Sequence, residues 1–428
     1  MTKKLTMRLI PALMLFGFAG VANAAGLAVS AQTGSGVGNA FAGSAAAAED
    51  AGTIFANPAG MTYLPQGHSI SLGASLLNRS VDFKNQGSVP HIGSFAGNTA
   101  DGGDAGGLAI IPFGYWAYSV APDVWFGVGV SPTFGNKTEY DKNFIGKSAG
   151  YMSEVKQINI NPSLAIKVND VLSLGLGFDL AHASLHAKAG VPNNATNRQD
   201  FKTDSWGVGA NIGAMFQLSP STRVGVTYRS GMSFDMEGKQ QLYSAVGAAA
   251  PTLKNQKVTL DGYETPGSLS LAVSQKLSDK WELLGDLTWT DWSVWNKLTL
   301  KQASDGANVS FPATYGFQDT LRVGLGANYK YSDALKLRFG VAFDEGATTK
   351  AANRQMTLPD ADRTWLAFGG KYTLSKASSI DFGYSHVFVK DSNTARQVRT
   401  AGGTLLQTIN GKFEQSADYL SAQYNHTF

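Results

Sequence analysis

The sequence has no cysteine and few charged residues. Without cysteine, the chain has no disulfide, no thiolate metal site and no cysteine nucleophile. Charged residues make up 16% of the chain, against roughly 25% in typical soluble domains. A formal net charge of only +3 over 428 residues is not the basic footprint of a nucleic-acid-binding protein. Glycine is abundant, at 49 residues, and this composition is unusual both for a cytosolic enzyme and for a helical membrane protein.

The first 24 residues have the pattern of a secretory signal peptide. Lys3, Lys4 and Arg8 precede the apolar run 9–19, and residues 22–24 form a small-x-small cleavage site. The apolar run is too short to cross a bilayer as a helix, which argues against a membrane anchor. The signal peptide carries all of the net positive charge, so the predicted mature chain is neutral. No later segment approaches ~20 consecutive apolar residues, so no transmembrane helix is expected.

Beyond the signal peptide, apolar residues recur at every second position. From Trp206 to Phe216 the even positions are apolar, while the odd positions are mostly small or polar. Such alternation predicts β-strands with one apolar face. A soluble β-sandwich and a membrane barrel both have strands of this kind, so a single strand does not distinguish them. Further segments with the same alternation are 158–166, 172–178, 321–329 and 335–343.

The connections between these segments alternate between short and long. Six short polar turns occur near 121–123, 168–170, 218–221, 277–280, 331–333 and 375–378. Seven long irregular stretches are predicted at 84–106, 134–153, 188–200, 236–257, 302–311, 346–357 and 391–411. This layout is typical of an outer-membrane barrel and predicts an all-β, antiparallel transmembrane β-barrel of about 14 strands over residues 68–428. Trp289, Trp292 and Trp295 are expected in its outer aromatic girdle, and the last strand alternates up to Phe428.

Residues 25–67 lack this alternation and are rich in small residues. Composition alone allows a flexible tail. The segment 43–61, however, contains Ala-Ala-Glu-Asp-Ala-Gly-Thr-Ile-Phe-Ala-Asn-Pro-Ala-Gly-Met, which resembles the N-terminal hatch signature of the FadL family of outer-membrane transporters. Stretches near 206–230, 287–293, 338–344 and 353–363 are also similar to that family. Glu49, Asp50, Asn57, Pro58 and Ala59 are the candidate hatch residues.

The resemblance implies a fourteen-stranded barrel whose lumen is plugged by the hatch (25–67). A hydrophobic ligand is then captured at the extracellular loops, passes to a pocket in the lumen and leaves sideways through an opening in the wall. In the family this opening lies in the third strand, expected here at about Val124–Phe134. Pro132, Phe134 and Gly135 are its candidate residues. Either they disrupt strand pairing or they simply end the strand.

Two groups of apolar residues are candidates for ligand contact. The stretch 242–253 is unusually apolar for an extracellular loop, which indicates either a capture groove or a short helix packed on the barrel rim. The candidates within it are Leu242, Tyr243, Val246 and Leu253. The resemblance adds Leu27 and Val29, because the family places its N-terminal residues in the inner pocket.

Basic residues on the inward strand positions are a third group. Arg229, Arg322 and Arg338 either bind a ligand carboxylate or pair with acidic residues of the lumen and with the hatch pair Glu49 and Asp50. The family's carboxylate-binding positions fall near Ala189 and Ala313 in this sequence, with Lys188 adjacent. This departure weakens the case for a fatty-acid head group and favours a neutral ligand.

We therefore expect uptake of hydrophobic compounds across the bacterial outer membrane, with long-chain fatty acids as the first candidate. Neutral compounds such as monoaromatic hydrocarbons or alkanes are the alternative. A general porin is less favoured because a forty-residue hatch would block it, and a hydrolase because no Ser–His–acid arrangement is recognisable. No catalytic residue, cofactor or metal site is expected. The expected partners are a hydrophobic ligand, membrane lipid and lipopolysaccharide, and the barrel-insertion machinery, with no nucleic acid; the chain is expected to be a monomer.

Overall fold

The computed structural model describes residues 27–91, 100–191, 197–244, 252–309, 313–400 and 402–428. The predicted signal peptide and the candidate residue Val246 lie outside this part of the chain. The hatch region contains three short helices and a 3-10 helix: α1 (Gly34–Gly38), α2 (Ser44–Ala47), α3 (Thr53–Ala56) and Pro58–Tyr63. In the described part of the chain no helix is long and apolar enough to cross a membrane.

The described residues from 68 onwards form the wall. Its strands are β1 (His68–Asn85), β2 (Gly107–Ala121), β3 (Val124–Glu139), β4 (Met152–Lys167), β5 (Leu172–Gly190), β6 (Arg198–Ser219), β7 (Thr222–Arg229), β8 (Met236–Ser244), β9 (Thr252–Asp261), β10 (Ser268–Lys276), β11 (Trp281–Thr290), β12 (Lys297–Gln302), β13 (Thr320–Lys330), β14 (Leu335–Asp344), β15 (Arg363–Thr373), β16 (Ser378–Arg399) and β17 (Leu405–Thr427). β7 and β8 lie end to end as the lower and upper parts of one interrupted wall strand. The same holds for β9 with β10 and for β11 with β12. Counting each such pair once, the wall has fourteen strand positions.

The wall closes on itself. β1 pairs with β17 in one continuous antiparallel register, from Ser69–Thr427 to Asn85–Gly411. All other neighbouring wall positions are also antiparallel, and the six predicted short turns connect them at one end. The predicted all-β barrel of about 14 strands is therefore confirmed.

The two faces of the wall follow the predicted alternation. Trp206, Val208 and Ile212 are more than half exposed on the outer face of β6. On the inner face of β4, by contrast, Asn159 and Asn161 are buried. An apolar outer face and a polar inner face are the arrangement that a lipid-embedded barrel requires.

Several predicted loops are strands. Most of 236–257 belongs to β8 and β9, most of 391–411 belongs to β16 and β17, and β3 continues to Glu139. The loop prediction is wrong here because these segments extend beyond the apolar belt. Both strand faces become polar there, so the alternation that identifies membrane strands disappears although the hydrogen-bonded pairing continues.

Three adjacent wall positions bend inward at the same level. The breaks are at 230–235, 262–267 and 291–296, between the lower and upper strands of each position. Met232–Ser233 and Glu264–Thr265 pair with each other in a separate two-stranded sheet. Trp292 and Trp295, with 0% and 2% exposure, lie in this indentation. Their predicted place in the outer girdle is therefore wrong.

The hatch packs directly on the inner wall. A Cβ at Gly175 would collide with the backbone of Pro58–Ala59, and a Cβ at Gly213 would collide with the side chain of Asn57. Glycine at these inward positions therefore lets the hatch backbone lie against the strands.

Candidate functional site

A cavity of about 500 Å³ opens among the upper strands and loops. We call it the upper cavity. Its apolar lining includes Leu185, Leu242, Leu260, Leu298 and Leu300. Its charged lining consists of Lys188, Lys254, Arg396 and Arg399, and the described residues that line it include no Asp or Glu. The rest of the lining is largely polar, so the cavity offers both apolar surface and convergent polar groups to a ligand.

Arg396 is the most enclosed of these cations. It lies on an inward position of β16, and its Nε is buried without a hydrogen-bond partner among the described residues. Lys188, by comparison, has its Nζ 3.7 Å from the Asp200 carboxylate. Arg399 donates to the Gly403 carbonyl at 2.9 Å. Lys254 is exposed to solvent. Arg396 is therefore the enclosed cation that is best placed to engage a carboxylate ligand.

An aromatic cluster lies below the upper cavity. The indentation brings Phe234, Tyr263 and Trp295 together with Trp292 and Phe317. The Trp292 ring stands edge-on to Phe317, with centroids 5.9 Å apart. Because Leu260 and Leu298 belong to the same packed group and also line the upper cavity, the cluster separates that cavity from the space beneath it.

A second cavity of about 250 Å³ lies under the cluster. We call it the inner cavity. It is lined by Val29 of the N-terminal segment, by Phe134 of β3 and by Met232 and Trp292 of the indentation. The Phe134 and Trp292 rings meet edge-on, with centroids 6.1 Å apart. The inner cavity therefore reaches both the third wall strand and the indented wall.

The third wall strand is bulged and loses one neighbour. β3 pairs with β2 only as far as Gly114–Val130, although both strands continue beyond this pair. Its pairing with β4 shifts register between Pro132 and Phe134, which marks a β-bulge. Since β3 runs on to Glu139, the alternative that Pro132 and Gly135 simply end the strand is wrong.

The N-terminal segment covers this unpaired edge from inside. Val29 N donates to Thr133 O at 2.9 Å, and Gly135 N donates to Leu27 O at 2.8 Å. Further up, Arg79 of β1 donates to Lys137 O at 2.8 Å. The gap beside β3 is therefore closed by backbone bonds from the hatch segment and by one arginine.

Arginines of the wall hold the hatch in place. Arg229 bonds to Asp179 and donates to the Phe55 carbonyl at 2.9 Å. Arg322 lies 2.8 Å from Asp286 and also donates to the Ala40 carbonyl. Each therefore holds a wall carboxylate and a hatch carbonyl together.

Arg338 makes the corresponding link to the hatch acid Glu49. Its Nη2 lies 2.6 Å from Glu49 and 2.7 Å from Asp381. Lys336 adds a second cation 3.4 Å from Glu49. Asp50 has no arginine and accepts hydrogen bonds from Ser35 Oγ and Gly52 N, both at 2.8 Å.

The two neighbouring hatch acids have opposite pKa shifts. Burial acts to raise the pKa of Glu49, but the charges of Arg338 and Lys336 outweigh it and hold the pKa well below its usual range. Burial also raises the pKa of Asp50, and the nearby Asp381 charge raises it further, with only partial offset from its hydrogen bonds. Glu49 thus stabilises the docked hatch as an anion, whereas Asp50 favours it when protonated.

The stability of the docked hatch should therefore rise under mild acid. Asp50 stabilises the docked hatch at low pH, and this contribution is lost as the pH rises through its raised folded pKa. Glu49 stabilises the docked hatch at neutral pH, and its contribution is lost only as the pH falls below about 4. We expect the thermal unfolding midpoint, measured by the gel mobility of unheated and heated samples, to increase as the pH is lowered from about 7 toward about 4, because the pKa of Asp50 is raised in the folded protein. Asp50→Asn should lack this increase. An identical pH profile for both proteins would contradict the assignment.

The remaining candidates have different environments. Leu242, Tyr243 and Leu253 lie on the paired strands β8 and β9, so these three do not form the alternative rim helix. Leu242 lines the upper cavity. The Arg198 guanidinium carbon stacks 3.9 Å from the centroid of the Tyr243 ring. Leu253 is exposed. Asn57 Nδ2 donates to the Ala45 carbonyl at 2.9 Å inside the hatch.

Sequence reasoning missed Arg396, Lys254 and Trp292. Arg396 lies within 391–411, which had been predicted as a loop, so its inward strand position was not recognised. In the structure Arg396 shares its strand parity with the buried Ser392 and Thr394, but the sequence of this polar segment does not distinguish its two faces. Trp292 was assigned to the girdle because its spacing from Trp289 gives no sign of the inward bend.

A closed fourteen-stranded barrel with an apolar outer face and a lumen filled by its own N-terminal segment defines a plugged outer-membrane transport channel. The sequence profile of the family described as "Outer membrane protein transport protein (OMPP1/FadL/TodX)" matches residues 15–428. The chain belongs to this family and is a bacterial outer-membrane protein, and the family's members are transporters.

Individual relatives are similar over most of their length. The "47 kDa outer membrane protein" of Pasteurella multocida is 31% identical over 90% of this chain and 92% of its own. The "Long-chain fatty acid transport protein" of Escherichia coli is 27% identical over 85% and 87%. Among solved structures, a FadL homologue of Pseudomonas aeruginosa has a TM-score of 0.84 at 22% identity and covers 96% of this chain and all of its own. The toluene transporter TbuX of Ralstonia pickettii has a TM-score of 0.69 at 21% identity, covering 92% and 98%. The two structures establish the shared fold.

Proposed function

We propose that the protein takes up hydrophobic compounds that carry an anionic head group, with long-chain fatty acids as the substrate class. The observation that supports this most strongly is the charge of the upper cavity, whose described lining has four basic residues and no acidic one. The leucine-rich part of the lining suits the alkyl chain, and each Å² of apolar surface kept from water contributes roughly 25 cal/mol.

The proposed route has three stages. The ligand is captured in the upper cavity, passes the aromatic cluster into the inner cavity, and leaves sideways at the unpaired edge of β3. Exit requires the Leu27–Val29 segment to release its two backbone bonds to Thr133 and Gly135. This route keeps apolar surface away from water at each stage, and it bypasses the polar lipopolysaccharide layer.

Neutral hydrocarbons are the second candidate class, since structural neighbours include toluene transporters. They gain little from a buried guanidinium, whose desolvation is unfavourable without a counter-charge. Ala189 and Ala313, the positions that had favoured a neutral ligand, both line the upper cavity. Arg396 of β16 lines the same cavity. It supplies a cation from a different strand than the two alanines.

The test compares an acid with its neutral ester. Arg396→Met should weaken binding of hexadecanoic acid about 10- to 100-fold, because a hydrogen bond to a charged group contributes ~1.5–3 kcal/mol. Binding of the methyl ester, which has the same chain and no charge, should be unchanged. Fluorescence titration of the purified barrel measures both. Lys390→Met, on an exposed cation outside the cavity, is the control. Equal effects on acid and ester would contradict head-group recognition.

The oligomeric state and the membrane partners also belong to this proposal. We infer that the chain acts as a monomer, contacts lipid and lipopolysaccharide through its outer face, and is inserted by the barrel-insertion machinery. Transport needs no chemical conversion of the ligand, and we propose no catalytic activity.

A further inference from the structure

A second interruption of the wall lies beside β6. β6 pairs with β7 up to Asn211–Arg229 and with β8 from Asp204–Glu237 upward. Residues 205–209 between these pairs have no ladder partner on this side. Ala210 and Ser230 close the lower edge, where Ser230 N donates to Ala210 O at 2.8 Å. We call the opening between 205–209 and 231–235 the slot.

The slot exists because the neighbouring segment, 231–235, turns inward. Residues 231–235 follow the indentation, and Met232–Ser233 pairs with Glu264–Thr265 and not with β6. The backbone of 205–209 therefore lacks the partners that a continuous barrel supplies. Unpaired backbone at membrane depth costs several kcal/mol per group unless it is buried in protein or faces a cavity, so such a break marks an opening in the wall.

The slot lies at the level of the lipid. Ala210 is nine residues above the end of β6 at Ser219, and a membrane strand needs roughly 9–11 residues to cross the hydrocarbon. On the outer face beside the slot, Trp206 and Val208 are 57% and 59% exposed. The slot therefore opens near the upper edge of the apolar belt, close to the outer leaflet. The gap beside β3 begins at a similar height, at residue 131, seven residues above Val124.

Only side chains close the slot. Gly207 lies against the Phe234 ring and Gly209 against Met232, so closely that a Cβ at either glycine would collide with them. The gap beside β3, in contrast, is closed by backbone hydrogen bonds to Leu27 and Val29. Side-chain rotation needs no strand pairing to break, so the slot requires less rearrangement to open.

The slot also adjoins the inner cavity. Ser230 and Met232, at its lower edge, line the same cavity as Val29 and Phe134. We propose that the slot is a second lateral opening, gated by Met232 and Phe234, through which a hydrophobic ligand of the inner cavity reaches the outer leaflet. This inference rests on the proposed function, because it gives the same ligand an additional exit.

Photo-crosslinking tests the slot. A hexadecanoic acid bearing a terminal diazirine is added from the aqueous side to the full chain in liposomes, and adducts are mapped by mass spectrometry. We expect a severalfold excess of adducts at Trp206 and Val208 over Leu366 and Phe388. These reference residues are also exposed and apolar, but they lie where the wall is continuously paired. Phe234→Ala should increase the excess. Phe317→Ala, which removes a similarly buried ring of the same cluster away from the slot, should not.

The outcomes separate the two claims. Adducts in the upper and inner cavities, with equal labelling of slot and reference positions, would overturn the second opening and leave the proposed function intact. Absence of adducts in both cavities would overturn the proposed function as well. The comparison within the unsubstituted protein is decisive even if Phe234→Ala does not fold.

Discussion

Deletion of residues 27–60 is expected to convert the protein into an open pore. The hatch fills the lumen with α1 to α3, while the wall is closed independently by the continuous β1–β17 pairing. The arginines that hold the hatch keep wall partners when it is absent: Arg229 keeps Asp179 and Arg322 keeps Asp286. The wall should therefore still form, without its plug.

Planar-bilayer conductance and liposome swelling with small sugars measure this change. The full chain should show little conductance, and the deletion variant should show a large, steady conductance with rapid sugar entry. Deleting the exposed turn 304–306 provides a control that leaves the lumen untouched. Conductance of the hatch deletion no greater than that of this control would show that the segment is not the barrier.

The second large effect is expected from Arg338→Met. This substitution leaves Glu49 and Asp381 without the cation that joins them, and both carboxylates lie in the interior. Removing one partner from a buried ion pair typically costs ~3–5 kcal/mol, because the remaining charge is uncompensated. Lys336 and Asn328 still contact Glu49, so a value near the lower end is expected. The hatch should loosen while the wall persists.

Thermal unfolding and limited proteolysis of the hatch measure this loosening. Arg338→Met should lower the unfolding midpoint and expose the hatch to cleavage, and adding Glu49→Gln should recover part of the loss because it removes the buried charge. Lys390→Met breaks an exposed ion pair with Asp362 and should cost less than about 1 kcal/mol. Equal effects of Arg338→Met and Lys390→Met would show that the hatch network does not anchor the plug.

The barrel could be predicted from sequence because its signal is local. The alternation between Trp206 and Phe216 reflects which side chain faces lipid, and the short turns follow directly from strand ends. The bulge at Thr133 was also anticipated in part, since Pro132 cannot donate a ladder bond. What residues 27–67 touch depends on the closed wall, so the partners of Arg229, Arg322 and Arg338 remained open alternatives.

The ligand cavities were less predictable for a physical reason. The upper cavity combines residues far apart in the chain, such as Leu185, Leu298 and Arg396, which become neighbours only after closure. The indentation depends on three strands bending together, and neither Met232 nor Trp292 indicates it alone. The two alanines at 189 and 313 suggested a neutral ligand because the sequence does not show that Arg396 lines the same cavity.

The central claim is that the plugged barrel binds a hydrophobic ligand by an anionic head group. Mass spectrometry of compounds that co-purify with the full chain in mild detergent tests it most directly, with Arg396→Met prepared in parallel. We predict long-chain fatty acids bound to the unsubstituted protein and markedly fewer bound to Arg396→Met. A neutral arene or alkane, retained equally by both proteins, would contradict the account.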